Sequence, residues 1–190
     1  MKKITLFFIA SLFAMAAIAQ NTYTLDKNHA RLAFSVVHFG ISHIEGNFKA
    51  FDATFTSVNN DFTGAQIEMT ADIKSINTEV EMRDNDLRSS NFFDADKYPT
   101  MTFKSTSFKK IGTKIYKLKG NITMHGVTKP IEFDVVYNGK ALNPMSKKTS
   151  CGFTITGKLM RSTFGIGGDP LATGVGNEIL LKSNVEFVIN

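Results

Sequence analysis

The sequence predicts an all-β protein, an antiparallel sheet of about eight strands closed into a barrel, with one short helix and one glycine-rich loop. Three observations carry that prediction. Apolar and polar residues alternate with period two along most of the chain, so each strand hides one whole face from water. Short turn signals separate the alternating segments: Asn59-Asn60-Asp61, Ile111-Gly112-Thr113, His125-Gly126 and Asn138-Gly139. Links this short join antiparallel neighbours. So much one-sided strand in a chain of 190 residues points to a closed sheet. A two-sheet sandwich is the structural alternative.

The chain opens on a segment that reads as an export signal. Met1-Lys2-Lys3 is a charged start, Ile4 to Ala17 is almost wholly apolar, and Ala17-Ile18-Ala19 puts small residues where signal peptidase reads. The apolar run is shorter than the roughly 20 residues that span a bilayer, which favours cleavage before Gln20 over an anchor. No cysteine follows the run for a lipoprotein attachment. The expected organisation is therefore a signal peptide over residues 1–19 and one domain over 20–190, periplasmic or secreted. Losing Lys2 and Lys3 lowers the formal charge from +5 to +3. The remaining lysines are scattered rather than clustered, so a nucleic-acid footprint is not supported.

The strands follow in order. Leu32, Phe34, Val36 and His38 share a face. Ile44, Gly46, Phe48 and Ala50 share a parity, but Phe51, Ala53 and Phe55 take the other, so a bulge or sharp bend is expected near Ala50. Ala65 to Ile73 alternates without a miss. Tyr116 to Met124, Ile131 to Tyr137, Phe153 to Leu159 and Ile179 to Ile189 keep the same period. Two stretches resist. Thr78 to Ser90 is charged, and Thr78 with Glu81 three residues on reads as the capped start of a short helix. Phe164 to Asn177 is glycine-rich with Pro170 and reads as a long loop. Strands of nine or ten residues give a wall roughly 30 Å tall, and barrels near eight strands either fill with side chains or hold one small ligand.

Reactive chemistry is sparse. The lone cysteine, Cys151, excludes an internal disulfide and a thiolate metal site, and it reads as a buried strand residue rather than a nucleophile. His38 and His43 are five apart, without the spacing of a helical metal site and without a visible third ligand. No metal or cofactor is expected. Gly-x-Ser-x-Gly is absent, and Gly165-Ile166-Gly167-Gly168 lacks the Lys-Ser/Thr of a phosphate loop. The carboxylate pairs Asp84/Asp86 and Asp94/Asp96 read as solvated charges and turn caps. No catalytic residue is assigned.

A series of short segments runs in order along the chain, beginning with Asp26 and His29, His38-Phe39-Gly40-Ile41-Ser42 and Glu45-Gly46-Asn47-Phe48. Next come Ser75-Ile76-Asn77-Thr78, Arg83-Asp84, Leu87-Arg88-Ser89, Phe92-Phe93-Asp94 and Tyr98-Pro99-Thr100-Met101-Thr102-Phe103. Gly120, Thr123, His125-Gly126-Val127-Thr128-Lys129-Pro130 and Arg161-Ser162-Thr163-Phe164-Gly165 complete it. Together, in this order, they resemble the YceI-like family of exported, polyisoprenoid-associated lipid-binding proteins. The resemblance implies a lipocalin-like antiparallel barrel whose apolar tunnel holds an isoprenoid or similar long-chain lipid. Two departures stand out: the family commonly has histidine where this chain has Asp86, and aspartate where it has Asn91.

Physical reasoning runs alongside. About 20 buried methylenes would contribute roughly 16 kcal/mol, much of it offset by immobilising a flexible chain. The candidate lining is Phe34, Val36, His38, Phe48, Met69, Ile73, Phe103, Phe133, Phe153 and Ile155, with ordinary packed core as the competing reading for each. Phe92, Phe93 and Phe164 are candidates for the rim. Arg88 and Arg161 could meet an anionic head, against a structural ion pair as the alternative. The expected partner is an isoprenoid or long-chain lipid; peripheral membrane contact and a homodimer stay open. The rival functions are a lipid-modifying enzyme using His38 or His43 in the pocket, and a filled barrel acting through its surface.

Overall fold

The computed structural model describes residues 21–169 and 173–189; the expected export signal and residues 170–172 of the glycine-rich loop lie outside them. In chain order the strands are β1 (Asn21–Leu25), β2 (Arg31–His38), β3 (Ser42–Phe48), β4 (Phe51–Ser57), β5 (Gln66–Asp72) and β6 (Ile76–Asn77). Helix α1 (Glu81–Arg88) follows, then β7 (Thr100–Lys110), β8 (Ile115–Met124), β9 (Val127–Leu142), β10 (Thr149–Met160) and β11 (Val175–Ile189). Every pairing is antiparallel. The ring β1-β4-β5-β7-β8-β9-β10-β11 closes where Tyr23 meets Ile189, giving an eight-stranded lipocalin-like barrel.

Strands β2, β3 and β6 continue β1, β4 and β5 past kinks. β2 pairs with β11 above the β1 contact, β3 pairs with β2, and β6 pairs with β3. Three neighbouring strands thus break at one level. Two of the breaks are short 3₁₀ turns started by aspartate: Asp26 accepts from Asn28 N at 3.0 Å and Asp72 from Lys74 N at 2.8 Å. The third is Lys49-Ala50, where the phase reverses between Phe48 and Phe51, and it is tied down by Lys49 N to Ser75 O at 3.1 Å and Asp72 N to Ala50 O at 2.9 Å.

Three local expectations need correction. Thr78 does not cap α1; Val80 occupies that position without a side-chain bond, and Thr78 instead donates its backbone N–H to buried Asp84 at 2.8 Å. Asn138-Gly139 is a bulge inside β9 rather than a turn, because the pairing with β10 slips between Gly152 and Phe153. The chain reverses further on, between Leu142 and Thr149. The glycine-rich loop is shorter than expected: Arg161–Phe164 is a 3₁₀ turn and β11 begins at Val175.

The registers sort the connections onto two ends. The 39–41, 78–99, 125–126 and 161–174 connections lie at the upper end, and the 58–65, 111–114 and 143–148 connections at the lower. The lower half is solid. Phe55 packs on Tyr23 (centroids 4.6 Å), Phe62 (5.4 Å), Phe153 (5.5 Å) and Phe187 (5.5 Å), and Phe108 stacks on Tyr116 at 4.9 Å. Phe62 reaches in from the β4–β5 loop and also meets Tyr137 at 5.2 Å, so aromatic rings stop the lower end.

Candidate functional site: an apolar chamber above an aromatic floor

Above that floor the barrel is hollow. Phe55, Phe108, Val135, Phe153 and Phe187 near the floor are buried, whereas the inward-facing Leu32, Phe34, Met69, Phe133, Ile155, Leu159 and Leu181 are only half-buried. In a closed barrel, an inward side chain that is not buried faces open space. The chamber measures about 180 Å³ as the space open to the centre of a water-sized sphere. One water needs about 10–15 Å³ on that measure. Its wall is apolar except for Arg161 and Ser183.

Glycines on neighbouring strands give the rings room to lie against the wall. Phe34 is paired across from Gly46, and a Cβ there would come within 2.4 Å of the Phe34 Cζ. Phe133 is paired with Gly157, where a Cβ would meet its Cδ1 at 2.5 Å. Phe103 lies over Gly120 in the same way. A glycine inside a strand commonly marks such a close approach.

The chamber is roofed from two sides. On one side Arg161, buried, donates to Ile166 O (2.6 Å), Gly168 O (3.1 Å), Val175 O (2.8 Å), Gly176 O (3.0 Å) and Thr173 Oγ1 (3.1 Å). A loop folded over an apolar interior must satisfy its carbonyls internally, and one planar guanidinium does so here. Burial holds the Arg161 pKa below its ordinary value, with Asp169 opposing. On the other side, α1 and the residues after it cover the wall between β6 and β7. Arg88 fixes them through Lys74 O (3.0 Å), Ile76 O (3.1 Å), Glu81 Oε1 (3.1 Å) and Asn85 Oδ1 (3.0 Å). The halves meet where the Phe92 ring packs against Gly167, whose added Cβ would sit 2.6 Å from it.

Of the side chains expected at the site, the structure brings Phe34, Phe48, Met69, Phe92, Phe93, Phe103, Phe133, Phe153, Ile155 and Arg161 into the chamber wall. Five lie elsewhere. Ile73 falls in the kink after β5, which takes it out of strand parity and into packed core. Val36 is buried outside the chamber lining. His38 ends β2 with its ring on Phe39 (4.4 Å), and His43 is exposed beside Ser35, so neither histidine is a pocket group. Phe164 is buried in its 3₁₀ turn, its carbonyl accepting from His125 Nδ1 at 2.9 Å. Arg88 is committed to backbone and helix, and all five Arg161 donors are used, which leaves no guanidinium N–H of Arg161 for a charged head.

The sequence reading missed Leu159, Ile179 and Leu181, which continue strand sets already in phase, and Ile166 and Val175, which only the roof loop's fold brings inward. The departures Asp86 and Asn91 touch each other: Asn91 Nδ2 donates to Asp86 Oδ1 at 2.8 Å, outside the chamber. Cys151 is buried with its thiol pushed up to about 12 by desolvation. Among the described residues, ligand-type side chains gather at Asp26, His29 and Glu186, where His29 Nδ1 and Asp26 Oδ2 already engage each other at 2.9 Å.

A closed barrel with a ring-filled floor, a latched roof and an apolar chamber between them defines a lipocalin-like binding barrel. The chain belongs to the YceI-like family, whose domain matches residues 23–187. A UPF0312 protein of Staphylococcus aureus is 33% identical over 172 residues, covering 88% of this chain and 98% of that protein. The crystallised YceI protein of Campylobacter jejuni is 33% identical, covers 78% of this chain and 86% of its own, and superposes with a TM-score of 0.70. Two more distant structures share the fold. BcnA of Burkholderia cenocepacia is 21% identical with a TM-score of 0.76, covering 85% and 98% of the two chains. A polyisoprenoid-binding domain from Saccharophagus degradans is 12% identical with a TM-score of 0.65, covering 88% and 98%.

Proposed function

We propose that this protein is exported and holds a polyisoprenoid or similar long-chain amphiphile in the barrel chamber, for transport, storage or sequestration and without turning it over. The observation that carries the reading is the row of inward apolar side chains left half-buried inside a closed barrel. Exposed apolar surface of this kind is unfavourable in water, at about 25 cal/mol per Å², and an apolar chain laid along it removes that penalty. The polyisoprenoid-binding function of the Saccharophagus relative, on the same fold, supports the choice of cargo. In this reading Phe34, Phe48, Met69, Phe93, Phe103, Phe133 and Ile155 contact the chain, Phe153 lies beneath its deepest end, and the head sits under the roof by Phe92.

Specificity rests on length, branching and an uncharged or outward-facing head, because the Arg161 donors beside the chamber are already committed. Native extraction and mass spectrometry of protein purified from its own compartment tests the proposal. A long-chain lipid should co-purify or be taken up on addition. Reproducible absence of both outcomes overturns the cargo role. Sequencing the amino terminus of that same preparation tests export, with a chain starting at Gln20 expected.

A further inference from the structure

The turn between β2 and β3 puts apolar side chains where local chemistry disfavours them. Ile41 N donates to His38 O at 3.1 Å, and Phe39 and Gly40 both have positive φ, 49° and 71°. A tight turn of this hand suits asparagine or glycine at its first central position and strains a bulky aromatic. Phe39 is nevertheless 66% exposed and Ile41 87%. In water the folded chain gains little from either side chain.

This turn is strapped to the chamber roof. Phe39 N donates to Gly174 O at 2.7 Å, and its ring occupies the space a Cβ on Gly174 would need, 2.2 Å away. The next residue, Val175, borders the chamber and gives its carbonyl to Arg161. Met82, on the first turn of the helix that forms the other half of the roof, is 82% exposed at the same end. The opposite end is stopped by aromatic rings, so cargo passes through this one.

We infer that the Phe39–Ile41 turn, together with Met82, is a membrane-contact surface that seats the roofed end of the barrel on a lipid bilayer. The inference rests on the cargo reading above. A long apolar chain resides in bilayers, and its passage into the chamber avoids water only if the doorway touches the membrane. Side chains inserted at the interface bind through buried apolar area. They also pull on the Gly174 contact, which links docking to the roof.

The test follows transfer of a fluorescent long-chain polyprenol into the mature chain from two sources: vesicles of equal parts phosphatidylethanolamine and phosphatidylglycerol, and a dispersion of the same probe in buffer. Ile41→Asp combined with Met82→Asp removes two apolar tips and leaves the Phe39 ring on Gly174 in place. Transfer from vesicles should slow at least about tenfold, with uptake from the dispersion unchanged. Met145→Asp, 89% exposed at the lower end, should leave both rates as they were. Equal vesicle rates for parent and double variant, or the same slowing in Met145→Asp, overturn the docking surface alone. Absence of uptake from both sources in the parent overturns the cargo reading and the docking surface with it.

Discussion

Gly46→Ala adds one methyl group to the chamber wall and should narrow the lumen through a side chain on the next strand. The new Cβ would stand 2.4 Å from Phe34 Cζ and 2.8 Å from its Cε1, where ordinary contact begins at 3.4 Å. The ring tip must therefore withdraw by about 1 Å, the difference between 3.4 and 2.4 Å, and the open side is the lumen. Overpacking a wall of this kind costs about 1–3 kcal/mol, and replacing a strand glycine by alanine returns about 0.5–1 kcal/mol. Stability should fall by no more than about 2.5 kcal/mol. Binding should suffer more specifically. A ring advanced by that distance displaces about two methylenes of cargo, about 1.6 kcal/mol, which weakens Kd somewhat more than tenfold. Displacement of a fluorescent lipid probe by a long-chain polyprenol measures this, and Phe34→Leu in the Gly46→Ala background should restore affinity by vacating the lumen. An unchanged Kd in Gly46→Ala would refute the reasoning, because cargo running along that wall cannot be indifferent to it.

Four further outcomes follow from the contacts. Phe62→Ala should cost about 3–5 kcal/mol in denaturant unfolding, since it empties the centre of the floor; a loss below about 1 kcal/mol would mean the rings are not interlocked. Arg161→Lys keeps the charge but not the planar fork, so unfolding stability should drop by about 2–4 kcal/mol and bound lipid should leave faster; no change in either would show the roof is held otherwise. Cys151, its thiol raised to about 12, should resist iodoacetamide in the native protein at mildly alkaline pH and react on unfolding, as mass spectrometry would show. The Asp26–His29 pair should add stability in a mildly acidic window. His29, raised by its bond to Asp26, contributes fully below 6.5 and loses this as pH rises through its folded value. Asp26, lowered by the same bond, contributes above 3.8 and loses this as pH falls through its folded value. Asp26→Asn should bring the His29 titration midpoint down in ring-proton NMR, and an unmoved midpoint would refute the coupling.

Alternation made the barrel readable from residue order alone, because period two states which side of a sheet each residue faces. It does not state depth. Phe153 and Phe133 look alike in sequence, yet one is locked among the floor rings and the other lies half-open in the chamber, since only the ring arriving from Phe62 decides where the interior is filled. Ile73 kept perfect phase with Met69 but was lost to the wall, because Asp72 starts a 3₁₀ turn through its own side chain. Asn138-Gly139 carried a turn signature that the sheet absorbed as a bulge. Arg88 and Arg161 offered either contact with an anionic head or a structural ion pair. Arg88 pairs with Glu81, and both arginines serve carbonyls, a demand that appears only when a loop is folded over apolar surface and cut off from water.

Packing the rings of Tyr23, Phe55, Phe62, Phe108, Phe153 and Phe187 into one end gives the sheet its anchor, and this relieves the residues higher up of any duty to fill space. Folding energy and cargo choice are thereby lodged in separate storeys. A lineage that exchanged a phenylalanine against its facing glycine would reshape the room without loosening the foundation, so the scaffold is free to diverge in what it carries while staying shut.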